Sequence, residues 1–160
     1  MIRCRAGDFF YTDAEVESMQ KSIEEFKSLF GNRLSGFVIG CLKQQDNEVT
    51  IHQEHTKSLI ESSRPFSVTF HKAFDLLNDP IQSLDDLIEM KVERVLTSGC
   101  SGKGLSGKVV DHLPTLKTLV EHSKQRIIIL AGGGVRMNNV KSIIEETGVT
   151  EVHSSQVIRW

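Results

Sequence analysis

Short apolar runs alternate with longer amphipathic stretches along the whole chain. Runs of strand length occupy residues 34–40, 66–71, 92–97, 126–131 and 150–153, and residues 1–5 resemble the end of a sixth strand. Between them, apolar residues recur at helical spacing, as in Val16, Met19, Ile23, Phe26 and Phe30. Strands that recur about every 30 residues with helices between them are typical of βαβ units. The pattern predicts one α/β domain over residues 1–160, with about six parallel strands and five helices.

Capping signals indicate where the helices begin and end. Thr12 and Glu15 have the spacing of a capping box, and Asp79-Pro80 places an N-cap before a proline at the first helical position. Gly31 and Gly148 are placed to end helices. The polar segment 43–48 is predicted to be a turn. A closed (β/α)₈ barrel typically needs about 250 residues, so the pattern alone leaves an open doubly wound sheet or a barrel that lacks some of its units.

Composition narrows the class of protein. Apolar residues make up 39% and charged residues 25%, as in ordinary globular domains, and the net charge of −2 gives no attraction to nucleic acid. No apolar run approaches the roughly 20 residues that span a bilayer. Three widely spaced cysteines do not form a disulfide framework, which favours a reducing compartment, the cytoplasm or the nucleus.

The segment Ser67–Asp75 is the strongest candidate for a functional strand. Phe66, Val68 and Phe70 alternate with smaller polar residues, and His71 ends the polar face. His71, with a pKa tuned by Asp75, would suit a general acid or base. The competing interpretation is a buried structural histidine.

Other strand ends carry groups suited to an anion. Arg3 and Arg5 share a face and can bind carboxylate or phosphate, although ion pairing with Asp8 or Asp75 is an equal alternative. The triplet Gly132, Gly133 and Gly134 follows a strand and precedes a predicted helix, which suits either a phosphate cradle or a tight turn. Strand ends in such folds converge, so the same site is predicted to include Asp8, Thr97, Ser98 and His153.

The sequence signals for a nucleotide site or a metal site are weaker than those for an anion site. Residues 102–109 nearly match a Walker A loop, but Val109 stands where a hydroxyl should bind Mg²⁺. Cys4, Cys41 and Cys100 each lie near a strand end and can approach one another as soft ligands for Cu(I), or they can be small buried hydrophobes. His52 and His55 share a helix face that we interpret as solvated.

Five segments of the chain resemble the CutC family of copper homeostasis proteins, whose fold is a (β/α)₈ barrel. In order they are residues 2–9 (IRCRAGDF), 68–75 (VTFHKAFD), 93–100 (ERVLTSGC), 132–134 (GGG) and 151–153 (EVH). Cys4 and Ala6 depart from the family pattern, as do Lys72, which replaces a common Arg, and Ala131, which replaces a common Pro. The loop 101–108 is longer than the family's, and residues 156–160 diverge from it.

The resemblance implies a partial (β/α)₈ barrel that lacks the first two βα units and the last helix. It implies a role in copper homeostasis with Cu(I) binding. The residues leave two other functions open, an enzyme acting on a small carboxylate or phosphate through His71, Asp75, Arg3 and Arg5, and an inactive truncated isoform. Six strands cannot close an eight-stranded barrel, so we expect marginal stability or association into a homo-oligomer.

Overall fold

The fold is built on a parallel sheet of five strands. A computed structural model describes residues 1–102 and 105–156, with the backbone alone described for Asn32. The strand order is β1-β4-β5-β6-β7, and every neighbouring pair is parallel. Strands β2 and β3 form a separate antiparallel hairpin. The predicted α/β fold with a parallel sheet is therefore confirmed, and β1 and β7 are the outer strands of the described sheet.

Helices connect the strands in the predicted alternation. The described residues contain seven strands, β1 (Gly36–Ile39), β2 (Leu42–Gln45), β3 (Glu48–Ile51), β4 (Ser67–Phe70), β5 (Arg94–Thr97), β6 (Ile128–Gly132) and β7 (Glu151–His153). They also contain five α-helices, α1 (Asp13–Phe30), α2 (Gln53–Ser63), α3 (Pro80–Glu89), α4 (Leu113–Ser123) and α5 (Val140–Thr147). No helix in the described ranges is long and apolar enough to cross a bilayer.

The helix boundaries follow from the capping residues. The backbone N–H of Thr12 donates to Glu15 Oε2 at 2.8 Å, and the Thr12 hydroxyl accepts from the Glu15 N–H, which completes the capping box of α1. Asp79 accepts from the N–H groups of Ile81 and Gln82 at the start of α3. Gly148 ends α5 with a φ of 75°, a conformation that favours glycine.

Two local predictions were wrong. Residues 1–5 form no strand, and Ile2 alone bonds to β1, through its N–H to the Val38 carbonyl at 2.8 Å. The chain then turns, since the guanidinium groups of Arg3 and Arg5 bond to carbonyls of residues 6–10. The segment predicted to be a polar turn is the β2–β3 hairpin, closed at Asp46 and Asn47, whose φ angles of 51° and 65° fit a tight two-residue turn.

The core lies between the sheet and its helices. The register of the parallel strands places their carboxyl ends side by side. Val68 and Phe70 of β4 are buried, as are Phe37 and Ile39 of β1. Ile39 pairs with Phe70, so β1 and β4 end side by side. Thr97 pairs with Ala131 in the same way at the ends of β5 and β6. The residues that follow these strands therefore meet at one edge of the sheet, where the predicted site residues fall.

Candidate functional site

His71 directly follows β4 and is held in one orientation. It is 4% exposed, and its Nδ1 accepts a hydrogen bond of 3.1 Å from the Ala73 N–H at the start of a 3-10 helix, Lys72–Leu76. The ring lies 4.6 Å from the Phe9 ring centroid. Its opposite nitrogen, Nε2, is buried and has no hydrogen-bond partner among the described residues.

A pocket of about 410 Å³ opens at this edge of the sheet. Five predicted site residues line it, namely Arg3, His71, Gly133, Gly134 and His153. The others in its wall are Met1, Phe9, Lys72, Leu96, Leu105 and Ser155. Apolar walls with a few polar groups are typical of small-molecule sites.

Arg3 forms one side of this pocket. Its guanidinium carbon lies 4.6 Å from the centroid of the Phe9 ring, so Phe9 contacts both Arg3 and His71. One terminal nitrogen bonds to the Gly7 carbonyl. Its Nε is buried and has no partner within the described ranges. Because no carboxylate pairs with Arg3 there, its charge remains available to a ligand.

Arg5 and Asp8 lie outside the pocket and pair with each other. The Arg5 guanidinium lies 2.8 Å from Asp8 Oδ1 and 2.5 Å from Glu15 Oε1. The hydrogen bonds from Arg5 hold the pKa of the Asp8 carboxyl below its usual value. The predicted two-arginine clamp is therefore not assembled, since Arg5 follows the ion-pair alternative.

Asp75 is fully buried and is directed away from His71. Its carboxylate accepts from the Thr97 hydroxyl, from the Ser98 N–H at 3.2 Å and from the Ser98 hydroxyl at 2.6 Å. Lys72 Nζ lies 3.4 Å from the same carboxylate. The 3-10 helix after His71 turns Asp75 toward the end of β5, and the two residues of the predicted acid–base pair share no hydrogen bond. Thr97 and Ser98 accordingly hold Asp75 and do not line the pocket.

Two residues of the glycine triplet, Gly133 and Gly134, form a backbone wall of the pocket. Gly132 is the last residue of β6, and Gly133 has a φ of 113°. A Cβ at Gly133 would lie 2.9 Å from the Gly107 carbonyl oxygen and 3.2 Å from Lys72 Nζ, so only glycine fits there. Helix α5 begins at Val140, and the Gly134 carbonyl accepts from Asn139. The triplet is thus separated from the helix N-terminus that was predicted to complete a phosphate cradle.

Sequence reasoning missed Lys72 as a residue of the pocket wall. Its Nζ donates to the carbonyls of Leu105 and Gly107 at 2.9 and 3.3 Å, besides its contact with Asp75. Lys72 thereby ties the loop after β5 to the end of β4. Its position directly after His71 was the available signal, but the two carbonyls to which it donates lie over 30 residues away in the chain.

The predicted metal and nucleotide residues are dispersed or incompletely described. Cys4 is exposed, whereas Cys41 and Cys100 are buried, and burial raises the pKa of Cys41 to about 12. No group of three or more His, Cys, Asp or Glu side chains suited to a metal occurs in the described part of the chain. The Walker-like stretch includes residues 103 and 104, which lie outside the described residues, as do residues 157–160.

His52 and His55 form a stacked pair. Their ring centroids are 3.6 Å apart, and His55 Nε2 lies 2.8 Å from Asp13. His52 Nδ1 accepts from the His55 N–H and so caps α2. The His52–His55 pair therefore has a structural role, as the N-terminal cap of α2.

A larger cavity of about 590 Å³ lies at the other end of the sheet. Its lining comes from the end of α4, the residues that enter β6 and the turn at Gly148. None of the predicted site residues contributes to it. The position at the carboxyl ends of the strands, together with the two unpartnered nitrogens, makes the smaller pocket the candidate site.

The electrostatics of the pocket favour a neutral His71. Burial lowers the pKa of His71 to about 4, and the positive charge of Arg3 acts in the same direction. Near neutral pH the pocket therefore combines one arginine with an uncharged imidazole.

Comparison with known proteins agrees with this architecture. The CutC family model matches residues 1–158. The chain is 43% identical over 155 residues to the human copper homeostasis protein cutC homolog, and 44% identical over 156 residues to a CutC protein of Parabacteroides distasonis. A crystal structure of CutC from Streptococcus agalactiae superposes with a TM-score of 0.85 at 31% identity, over 98% of this chain and 71% of that one.

These matches identify the fold as part of a (β/α)₈ barrel. Each alignment with the two sequence relatives takes in 97% of this chain but only 53% of the human and 59% of the bacterial protein. The chain thus spans little more than half the length of these relatives. The family model and the solved structure, which cover nearly all of this chain, place it without ambiguity: the protein belongs to the CutC family.

Proposed function

We propose that the pocket at the strand ends binds a small anion that offers oxygen acceptors, a carboxylate or a phosphate. One observation carries the proposal. Of the three buried side-chain nitrogens without a partner in the described part of the chain, two, Arg3 Nε and His71 Nε2, belong to residues that line the same pocket, and the third, His55 Nδ1, lies in α2.

The energetics support a ligand at this position. A buried N–H group without an acceptor costs about 1–3 kcal/mol. A bound oxygen would remove that penalty for each of the two groups. Lys72 contributes little free charge, since Asp75 and two carbonyls already surround its ammonium group. Arg3 is therefore the main electrostatic attraction for an anion.

Acetate, pyruvate and inorganic phosphate are suitable probes for thermal unfolding. Ligand at about 100 times its Kd adds about 2.7 kcal/mol, which raises the Tm of a domain of this size by about 5–10 °C. We expect at least one probe to raise the Tm, and Arg3→Met, which keeps the apolar stem, to abolish the rise.

Arg33→Met is the matched control for this experiment. Arg33 is exposed and precedes β1, at the opposite end of the sheet from the pocket. The control variant should respond to the probes as the unmodified chain does. The proposal is contradicted if the unmodified chain, Arg3→Met and Arg33→Met show equal rises in Tm. It is also contradicted if no probe raises the Tm of the unmodified chain.

Cu(I) binding is the second candidate, because relatives are named for copper homeostasis. Cys4 directly follows Arg3 of the pocket wall, and Cys41 directly follows Gly40, whose backbone is in close contact with the His71 ring, so two soft ligands flank the candidate site. Anaerobic Cu(I) titration against a competing chelator should then give one site that Cys4→Ser removes. Cys100→Ser should leave binding unchanged. Unchanged binding in Cys4→Ser, or none in the unmodified chain, would exclude this pair.

A further inference from the structure

We infer that His71 acts in the pocket as a neutral hydrogen-bond donor, its Nε2–H directed to an oxygen of the ligand. This inference rests on the proposed anion-binding function and specifies the role of one residue in it. It assigns the ligand an acceptor oxygen at the pocket floor, and it excludes His71 as the base that removes a proton from the ligand.

The position of the proton follows from the partner of Nδ1. A backbone N–H can only donate, so the Ala73 N–H at 3.1 Å requires a lone pair on Nδ1. A neutral imidazole carries one proton, which then resides on Nε2. This is the buried nitrogen without a partner in the described ranges, and His71 lines the pocket.

The packing around the ring preserves this orientation. The Phe9 ring lies against it at 4.6 Å and the Phe70 ring at 5.8 Å. A Cβ at Gly40 would lie within 2.4–3.0 Å of three ring atoms, so the backbone of β1's end is in close contact with the imidazole. Rotation of the ring would break the hydrogen bond from the Ala73 N–H to Nδ1.

The charged groups around the pocket oppose a protonated ring. Burial and the positive charge of Arg3 both lower the pKa of His71, and Lys72 and His153 also line the pocket. Asp75, the acidic residue predicted to tune the pKa of His71, is directed to Thr97 and Ser98. With burial, these groups keep His71 uncharged across the neutral range, and a donor of this kind polarises a carbonyl or carboxylate oxygen.

The first test needs no ligand. Long-range ¹H–¹⁵N spectra of the histidine rings in the ¹⁵N-labelled 160-residue chain report the tautomer of His71 directly. We expect the Nε2–H form with a protonation midpoint of about 4. A proton on Nδ1, or a midpoint near the ordinary value of about 6.5, would overturn the inference whether or not the pocket binds an anion.

The second test replaces the donor with pyruvate as the probe. His71→Gln places an amide N–H near the position of Nε2, whereas His71→Glu, of matched length, offers only acceptors when ionised. We expect the Gln variant to keep the pyruvate Kd within about tenfold of the unmodified chain and the Glu variant to lose binding. Circular dichroism verifies that both variants fold, and His71→Met, which offers no N–H donor, replaces the Glu variant if that one does not fold.

The tautomer spectrum and the pyruvate measurements together distinguish a failure of the inference about His71 from a failure of the proposed anion-binding function. Equal loss in the Gln and Glu variants, with pyruvate bound by the unmodified chain, would show that donation is not the role of His71. If the unmodified chain binds none of acetate, pyruvate and phosphate, the proposed function fails, and the tautomer spectrum alone decides the state of His71.

Discussion

Replacing Asp75 with alanine is expected to lower the free energy of unfolding by about 3–5 kcal/mol. The carboxylate is fully buried and accepts from Thr97 and from both donors of Ser98. Its removal leaves these donors without an acceptor and Lys72 without its counter-ion. The effect should be measured by urea unfolding of the variant and the unmodified chain.

The control substitutions separate the buried network from the loss of a charge. Asp75→Asn keeps one acceptor oxygen and should cost less, about 1–3 kcal/mol. Asp111→Ala removes an exposed carboxylate and should stay within about 0.5 kcal/mol of the unmodified chain. A small effect of Asp75→Ala, similar to that of Asp111→Ala, would contradict the role given to the network in joining the ends of β4 and β5.

Gly40→Ala is expected to destabilise the chain by about 1–3 kcal/mol through overpacking. The new methyl group would lie 2.4 Å from Cε1 and 2.6 Å from Nδ1 of His71. Since the Phe9 ring also contacts the imidazole, the ring must move and its bond to Ala73 must lengthen. We expect the Nε2–H resonance of His71 to shift or broaden, and anion binding to weaken.

Gly36→Ala provides the comparison on the same strand. Its Cβ would lie 2.4 Å from the Ser67 Oγ at the opposite end of β1. This variant should also lose stability while the His71 resonance stays in place. A His71 resonance that responds equally to both substitutions, or to neither, would contradict the close contact between Gly40 and the imidazole.

The fold was largely predictable because its local signals agree with the tertiary structure. The capping box at Thr12 and Glu15 and the N-cap at Asp79 form as predicted. The hairpin was missed because five of its eight strand residues are polar and only the outermost two, Leu42 and Ile51, are buried. Asp46-Asn47 was the available signal, since both residue types tolerate a positive φ.

The sequence predicts which residues lie at the strand ends, but it does not predict where side chains beyond the strands are directed. His71, Gly133, Gly134 and His153 line one pocket because parallel strands deliver the residues at their ends to one edge, and Arg3 reaches it from the segment that Ile2 bonds to β1. Side-chain direction beyond the strand depends on the short helix after His71, which turns Asp75 toward Thr97 and leaves Lys72 in the wall. Spacing in the sequence does not encode that turn, and it does not distinguish Arg3 from the ion-paired Arg5.

The association expected of an incomplete barrel stays a prediction. In the described sheet, β1 and β7 have a strand neighbour on one side only. Such edges favour pairing with another chain. The experiments on the pocket should therefore be accompanied by size-exclusion chromatography at the same protein concentration, so that ligand effects are compared at one oligomeric state.

The most direct test of the account is a titration of the ¹⁵N-labelled chain with acetate, pyruvate and phosphate, followed residue by residue in ¹H–¹⁵N spectra. The account predicts saturable shifts at the Arg3 and His71 side chains and at the Gly133 and Gly134 amides, the groups that line the pocket at the strand ends. Resonances around Lys124 and Gly148, in the larger cavity at the far end of the sheet, should not move. Shifts confined to that far cavity, or no shifts with any of the three anions, would contradict it.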